Sequence, residues 1–218
     1  MSQHTLTLLR FTYKKLKEKL TVSDSKKLFH EKFPYVIPGL YKKIVDELIV
    51  ELNLLNHQNE FLQEFLFCIG LTETFGELTK GYKPENHLDL LFESICSSTN
   101  FEAKEIKEIS QKYQLDFRDK SSKETLKLLK EKSSPKLYSS RLLNLGIYIL
   151  ISNSQDFKGE NKSEIDKMIT EIFEKLNLSI NKAEKDIGIY KSAITKMEQA
   201  KELIEELKIK DKKKDQKK

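Results

Sequence analysis

The chain offers few side chains whose type and spacing could support chemistry. Its histidines stand on four separate segments and form no recognisable metal-ligand arrangement such as HExxH. They are His4, His30, His57 and His87. The sequence contains no glycine-rich phosphate loop and no G-x-S-x-G nucleophile elbow. We therefore predict no catalytic residue, no metal site and no cofactor, and we expect a protein that is not an enzyme.

The two cysteines also favour a structural interpretation. Cys68 and Cys96 lie in the apolar stretches FLFCIGL and LFESICS, and their spacing fits no zinc pattern. A free cysteine in such surroundings behaves as a small hydrophobic side chain. We expect two buried thiols.

One acidic group invites a choice between two interpretations. Asp46, Glu47 and Glu51 follow Lys42 and Lys43 at helical spacing on one predicted helix. A di-metal bundle would need E-x-x-H motifs on several helices, and the sequence has none. The carboxylates therefore belong either to a solvated helix face or to a surface that recognises a partner.

Helical periodicity dominates the chain and predicts an all-α fold, a compact multi-helix bundle. Thr21 or Ser23 can cap a first helix, and Pro34 and Pro38 prevent that helix from continuing through the corner between them. Apolar residues at steps of three and four predict a long second helix over 41–55 and a third over 61–75. Short helices follow, two of them opened by predicted capping boxes, Thr99 with Glu102 and Ser121 with Glu124.

Two glycines lie inside apolar helices, where glycine costs about 1 kcal/mol relative to alanine. They are Gly70 and Gly146. A close approach of two helices is a physical reason to retain glycine, so we predict that both lie at buried helix crossings.

The C-terminal region carries a narrow apolar seam. Its members recur at steps of three and four: Ile180, Ala183, Ile187, Tyr190, Ile194 and Met197. Such a seam is typical either of a coiled coil or of a long helix packed on its own domain. In the first case Ile187, Tyr190, Ile194 and Met197 would be available to bind a partner. We divide the chain into a basic extension (1–20), a helical domain (21–177), a long helix (178–207) and a disordered lysine-rich tail (208–218).

Positive charge is concentrated at the two ends of the chain. The net charge is +5, yet Met1–Leu20 holds five basic residues against Glu18, and Lys208–Lys218 holds seven lysines against two aspartates. The body between them is therefore net acidic. This distribution favours electrostatic tethering, although a nucleic-acid-binding protein that uses its basic tails is an alternative. The first segment also carries an apolar stripe that suits weak membrane contact or belongs to a disordered extension: Leu9, Tyr13, Leu16 and Leu20.

Several motifs, taken in order, resemble the thylakoid formation factor family, also called the photosystem II biogenesis protein family of cyanobacteria and plastids. The most specific are TVSDSK at 21–26, FP at 33–34 and Y-x-x-x-V-D-E-L-x-V-E-L-x-L-L at 41–55. Weaker matches are IGL-x-x-x-F at 69–75, GY-x-P at 81–84 and Y-S-x-R-L-x-x-x-G at 138–146. The resemblance covers roughly residues 21–207.

The resemblance implies an all-helical, non-enzymatic protein that takes part in thylakoid formation and in photosystem II assembly and repair. It also implies that the protein acts by binding FtsH-type membrane protease complexes and maintaining their level. The expected location is the cytoplasmic or stromal face of the thylakoid membrane, held peripherally and without a transmembrane segment. We expect no specific nucleic acid as a partner, and the sequence leaves the oligomeric state open.

Overall fold

A computed structural model describes residues 19–157 and 162–215 of the chain. Over those residues the secondary structure is helical, and no strand is found in them. The predicted all-α fold is confirmed. The α-helices are α1 (Val22–Lys32), α2 (Gly39–His57), α3 (Phe65–Leu78), α4 (Leu88–Ser98), α5 (Ala103–Phe117), α6 (Ser122–Lys132), α7 (Arg141–Ser152), α8 (Lys162–Lys175) and α9 (Ile180–Asp215).

The first helix and the corner after it form as predicted. Thr21, rather than Ser23, caps α1: its hydroxyl accepts from the Asp24 amide at 3.1 Å, and the Asp24 carboxylate accepts from the Thr21 amide at 3.0 Å. Phe33 is the C-cap of α1, and Pro38 is the N-cap of α2. The proline-bounded corner thus turns the chain between two packed helices.

Helix α3 lies at the centre of the bundle. Its Phe67, Cys68 and Leu71 belong to a core cluster built mainly from α1, α2, α3 and α4. Its Leu66 and Ile69 belong to a second cluster, which is built mainly from α3, α7, α8 and α9. Because α3 contributes to both clusters, it joins the two halves of the core.

Helix α3 begins later than the sequence indicates. The periodicity places Phe61 in its first turn, but the helix starts at Phe65 after an extended Glu64. Phe61 is nevertheless buried, at 3% exposure, from the segment that precedes the helix. The burial pattern was therefore right, while the helical periodicity extended one turn too far.

Two glycines allow α3 and α7 to approach each other closely. Gly70 on α3 and Gly146 on α7 each face the backbone of the other helix. The prediction that both lie at buried helix crossings is confirmed.

One predicted capping box is wrong and the other is confirmed. Thr99 follows the end of α4 as its C-cap, and its hydroxyl donates to the carbonyls of Ile95 and Cys96, each at 2.9 Å. A threonine hydroxyl can bond either forward to a helix start or backward to a helix end, and here the backward bonds prevail. Ser121 does cap α6 in a box with Glu124.

Helix α9 packs on its own domain along its first half. Ile187 and Tyr190 lie in the cluster built around α7 and α8, and Met197 lies in the other cluster. Of the two alternatives for the seam, the structure shows the packed helix up to Met197. The helix then continues to Asp215. The sequence predicts a disordered tail from residue 208, so this prediction is wrong for the backbone of residues 208–215. Three members of the apolar stripe predicted in the N-terminal extension, Leu9, Tyr13 and Leu16, lie outside the described residues.

Over residues 19–157 and 162–215, none of the helices is both long enough and apolar enough to cross a lipid bilayer.

Candidate functional site

The residues that could have carried chemistry are placed apart from one another. The ring of His30 packs edge-on against Phe29, His57 Nε2 lies 2.8 Å from the Leu20 carbonyl, and His87 stacks on Tyr35 with ring centres 3.9 Å apart. Within the described part of the chain no three histidine, cysteine or carboxylate side chains converge as metal ligands would. His4 lies outside that part.

Cys68 and Cys96 are buried free thiols, as the sequence indicates. Burial raises the pKa of the Cys68 thiol to about 12. It also raises the pKa of Cys96 above its ordinary value. Because the thiolate is the reactive form, both cysteines are held in their unreactive state.

The acidic residues singled out in the sequence line an open groove. Its walls are the outer face of α2 and the first half of α9, and its floor is the segment 138–141 that leads into α7. The groove has a volume of about 970 Å³. We call it the α2–α9 groove, and its lining includes Asp46, Glu47, Val50, Glu51, Leu54, Tyr138, Arg141, Lys182 and Ile189.

Two large apolar side chains are exposed in the α2–α9 groove. Leu54 on α2 is 54% exposed and Ile189 on α9 is 46% exposed. Val50, one turn before Leu54, adds a half-buried apolar surface. Exposed apolar side chains gathered in a concave surface and bordered by polar groups are typical of a protein-binding site.

An ion pair forms the floor of the groove. The guanidinium of Arg141 donates from Nε to Glu51 Oε2 at 2.9 Å, and its Nη2 donates to the same oxygen. The side chains of Arg141 and Glu51 are only 28% and 16% exposed. Burial raises the pKa of the Glu51 carboxyl above its ordinary value, while the neighbouring charge of Arg141 acts in the opposite direction. The pair fixes α2 against the start of α7.

A second polar contact fixes α9 against α7. The side chain of Asn144, which is fully buried, donates from Nδ2 to Asp186 Oδ2 at 2.8 Å. The ammonium of Lys182 donates to the Ser139 carbonyl. These contacts and the Arg141–Glu51 pair all attach a wall helix to α7 or to the segment just before it. The two walls of the groove are therefore held at a defined separation.

The acidic residues at the rim behave differently from Glu51. Asp46 pairs with Lys26 of α1 at 2.9 Å rather than with Lys42, and Glu47 pairs with Lys43 at 3.7 Å. Both carboxylates are well exposed, so these pairs contribute little to stability. The solvated-face interpretation fits Asp46 and Glu47, whereas the side chain of Glu51 is mostly covered and lies at the floor.

The predicted seam residues do not line the groove. Ile187, Tyr190 and Met197 are 6%, 7% and 7% exposed, and the half-buried Ile194 packs against both core clusters. Their side chains attach α9 to the domain and so present Ile189, on the neighbouring face, to the groove.

Sequence reasoning missed Leu54, Ile189 and Arg141. Leu54 and Ile189 do not lie on the apolar stripes of their own helices. This departure from the stripe is the sequence signal that could have identified them. An apolar residue off the stripe of an amphipathic helix points away from the core and must either face water or meet a partner. Arg141 could not be found in this way, because its partner Glu51 lies ninety residues earlier in the chain.

The arrangement is suited to recognition. A rigid concave surface with apolar side chains at its centre and charges of both signs at its rim can receive an amphipathic segment of another protein. Its charged groups are largely engaged with one another, as the Arg141–Glu51 and Lys43–Glu47 pairs illustrate.

Comparison with known proteins identifies the family. The family model described as thylakoid formation protein matches residues 21–218. The protein Thf1 of Prochlorococcus marinus strain MIT 9312 is 80% identical over 199 residues, covering 91% of this chain and 99% of the relative. Thf1 of Parasynechococcus marenigrum strain WH8102 is 36% identical over 201 residues, covering 92% of this chain and 94% of the relative.

The fold agrees with these sequence matches. A solved structure of Psb29 superposes with a TM-score of 0.78 at 26% sequence identity, and the match covers 89% of this chain and 98% of that one. The resemblance inferred from the motifs is confirmed. The chain belongs to the thylakoid formation protein family, and that membership supports a role in thylakoid biogenesis and photosystem II.

Proposed function

We propose that the protein is an auxiliary factor for photosystem II assembly and repair that binds an FtsH-type membrane protease complex and maintains its level. It acts by adhesion and not by turning over a substrate, from a peripheral position on the cytoplasmic or stromal face of the thylakoid membrane. The observation that carries the proposal is the α2–α9 groove, a rigid surface with exposed apolar side chains in a protein of the thylakoid formation family.

The groove supports binding of a protein segment in two ways. Leu54 and Ile189 provide apolar area that a partner can cover, and covering such area supplies most of the free energy of association. Asp46 and Glu47 at the rim supply orientation and partner choice instead of strong binding. The seam residues of α9 contribute indirectly, because they hold the wall that carries Ile189.

The experiment is a pull-down of the protease complex from thylakoid membranes with the full-length protein. The variant Leu54→Asp with Ile189→Asp places two charges in the groove without touching the core, and we expect it to recover at least about tenfold less protease. The control is Leu115→Asp on α5, because Leu115 is 57% exposed and does not line the groove.

Cells that carry the groove variant should also contain less of the protease than cells that carry the control variant. Equal recovery of the protease by both variants, with both proteins folded, would overturn the assignment of the groove.

A further inference from the structure

Within the part of the chain that the structure describes, the last part of α9 carries an exposed apolar face. Met197 is the last buried side chain among those described on this helix. Beyond it Leu203, Ile204 and Leu207 are 58%, 39% and 51% exposed. Leu207 follows Leu203 by four residues and Ile204 by three, and residues three or four apart are neighbours on a helix surface, so the three side chains form one patch.

The charges around this patch are distributed unevenly. Glu202 and Glu205 fall on the opposite side of the helix from the patch, Glu206 lies at its edge, and all three are exposed. The segment that follows, Lys208–Lys218, contains seven lysines and two aspartates. The backbone remains helical to Asp215, and each residue adds about 1.5 Å along the axis. The first lysines therefore come within one or two helical turns of Leu207.

We propose that the end of α9, from Leu203 onward, docks on an anionic lipid surface. Leu203, Ile204 and Leu207 enter the boundary between headgroups and acyl chains, and the lysines that follow lie over the negative headgroups. Helices that lie in a membrane interface combine an apolar face with neighbouring positive charge. This inference deepens the peripheral association of the proposed function by naming the element that touches the membrane, and it does not depend on the groove.

The same patch suits a lipid surface better than two other occupants. A coiled coil with a second copy needs an apolar seam sustained over three or four heptads, and the exposed part spans little more than one turn. A nucleic-acid backbone would attract the lysines but offers nothing for Leu203 and Leu207 to enter. A lipid surface accepts both the charge and the apolar side chains.

The test is co-sedimentation of the full-length protein with vesicles of phosphatidylcholine, with and without phosphatidylglycerol. We expect binding only to the anionic vesicles, and weaker binding as salt is raised. Leu203→Glu combined with Leu207→Glu, and separately a chain that ends at Leu207, should each bind at least about tenfold more weakly. Since Leu203 and Leu207 are both exposed, the double variant should melt like the parent.

Leu115→Glu is the matched control, because Leu115 on α5 is 57% exposed, as Leu203 is at 58%. It should bind vesicles like the parent. Parent-like binding by the patch variant and by the shortened chain would overturn the inference. So would a change in mass by light scattering that depends on the patch, or tail-dependent binding to duplex nucleic acid without binding to vesicles.

The groove variant separates this inference from the proposed function. With Leu54→Asp and Ile189→Asp, vesicle binding should persist while protease recovery falls. Loss of vesicle binding in that variant would contradict the independence of the two surfaces, whereas failure of the vesicle experiment alone leaves protease capture through the groove standing.

Discussion

Gly70 and Gly146 face each other across the crossing of α3 and α7, and neither position has room for a side chain. A Cβ at Gly70 would lie 1.8 Å from the Leu142 carbonyl oxygen, and a Cβ at Gly146 would lie 1.9 Å from the Leu66 carbonyl oxygen. Both obstructing atoms belong to the backbone of the opposite helix. The crossing therefore requires glycine on each side, because a clash with backbone can be relieved only by separating the helices.

Gly70→Ala and Gly146→Ala should each destabilise the protein by about 3 kcal/mol or more, since overpacking costs about 1–3 kcal/mol even where side chains can yield. The measurement is chemical unfolding followed by circular dichroism. Gly76→Ala and Gly188→Ala are the controls, because a Cβ at either position meets nothing within 4 Å. At these two positions alanine should be neutral or stabilising by up to about 1 kcal/mol. Equal effects at all four positions would contradict the crossing.

The glycine crossing and the proline corner could be predicted because each depends on a local rule with one physical outcome, whereas the cap of α1 could be narrowed only to Thr21 or Ser23. A proline lacks an amide donor in any context, and a glycine inside an apolar helix lowers helix stability unless a close helix contact compensates for it. Thr99 could not be decided locally, because its hydroxyl can bond in either direction along the chain. The late start of α3 could not be predicted either, because the spacing of apolar residues indicates which side chains are buried and not whether their backbone is helical. Phe61 is buried although it precedes the helix.

Arg141→Met should destabilise the protein by about 3 kcal/mol, because it leaves the Glu51 carboxylate in the groove floor without its partner. Adding Glu51→Leu should restore most of that loss, since an apolar pair of similar size avoids the cost of desolvating two charges. A double-mutant cycle from urea unfolding measures this. Lys104→Met is the control: it removes an ion pair with Glu108 on the surface of α5 and should have no measurable effect. An additive cycle would contradict the coupling.

The same pair predicts a pH dependence. The pKa of Glu51 is raised in the folded protein because burial outweighs the charge of Arg141. A carboxyl with a raised pKa contributes stability that is fully present below its ordinary pKa and is lost as pH rises through the raised value. In Arg141→Met this pKa rises further, so the loss of stability as pH rises above the ordinary carboxyl pKa should be larger than in the parent. Unfolding free energies at several pH values check it, and a smaller loss would be inconsistent with burial as the cause.

Cys68 and Cys96 should resist a thiol reagent while the protein is folded. With the pKa of Cys68 raised to about 12, almost none of this thiol is ionised at neutral pH, and both side chains are buried. Labelling with Ellman's reagent should be slow in buffer and immediate in denaturant. Leu115→Cys is the control, because a thiol at this exposed position should react at once while the two native thiols do not. Rapid labelling of a native thiol would mean that the core opens locally.

The seam of α9 illustrates how far the candidate site could be predicted. Periodicity identified Ile187, Tyr190, Ile194 and Met197 as one apolar face, which is correct, but periodicity does not distinguish a face that meets its own domain from one that meets a partner. The groove depends on Leu54, Ile189 and Arg141, which come together only because α2, α7 and α9 pack as they do. That information resides in tertiary packing and not in any one helix.

Ile187→Asp and Ile189→Asp should therefore affect different properties, stability in the first case and binding in the second, although the two residues are only two positions apart in the sequence of α9. Ile187 is 6% exposed among apolar side chains, so an aspartate there buries an unpaired charge and should cost about 4 kcal/mol or more. Ile189 is 46% exposed, so the same substitution should change stability by less than about 0.5 kcal/mol while weakening protease capture. Thermal melts and pull-downs on the two variants separate these effects. An Ile187→Asp protein that folds but no longer binds the protease would contradict this assignment. It would show that the seam is the binding surface, because only an exposed Ile187 could tolerate the charge and still contribute to recognition.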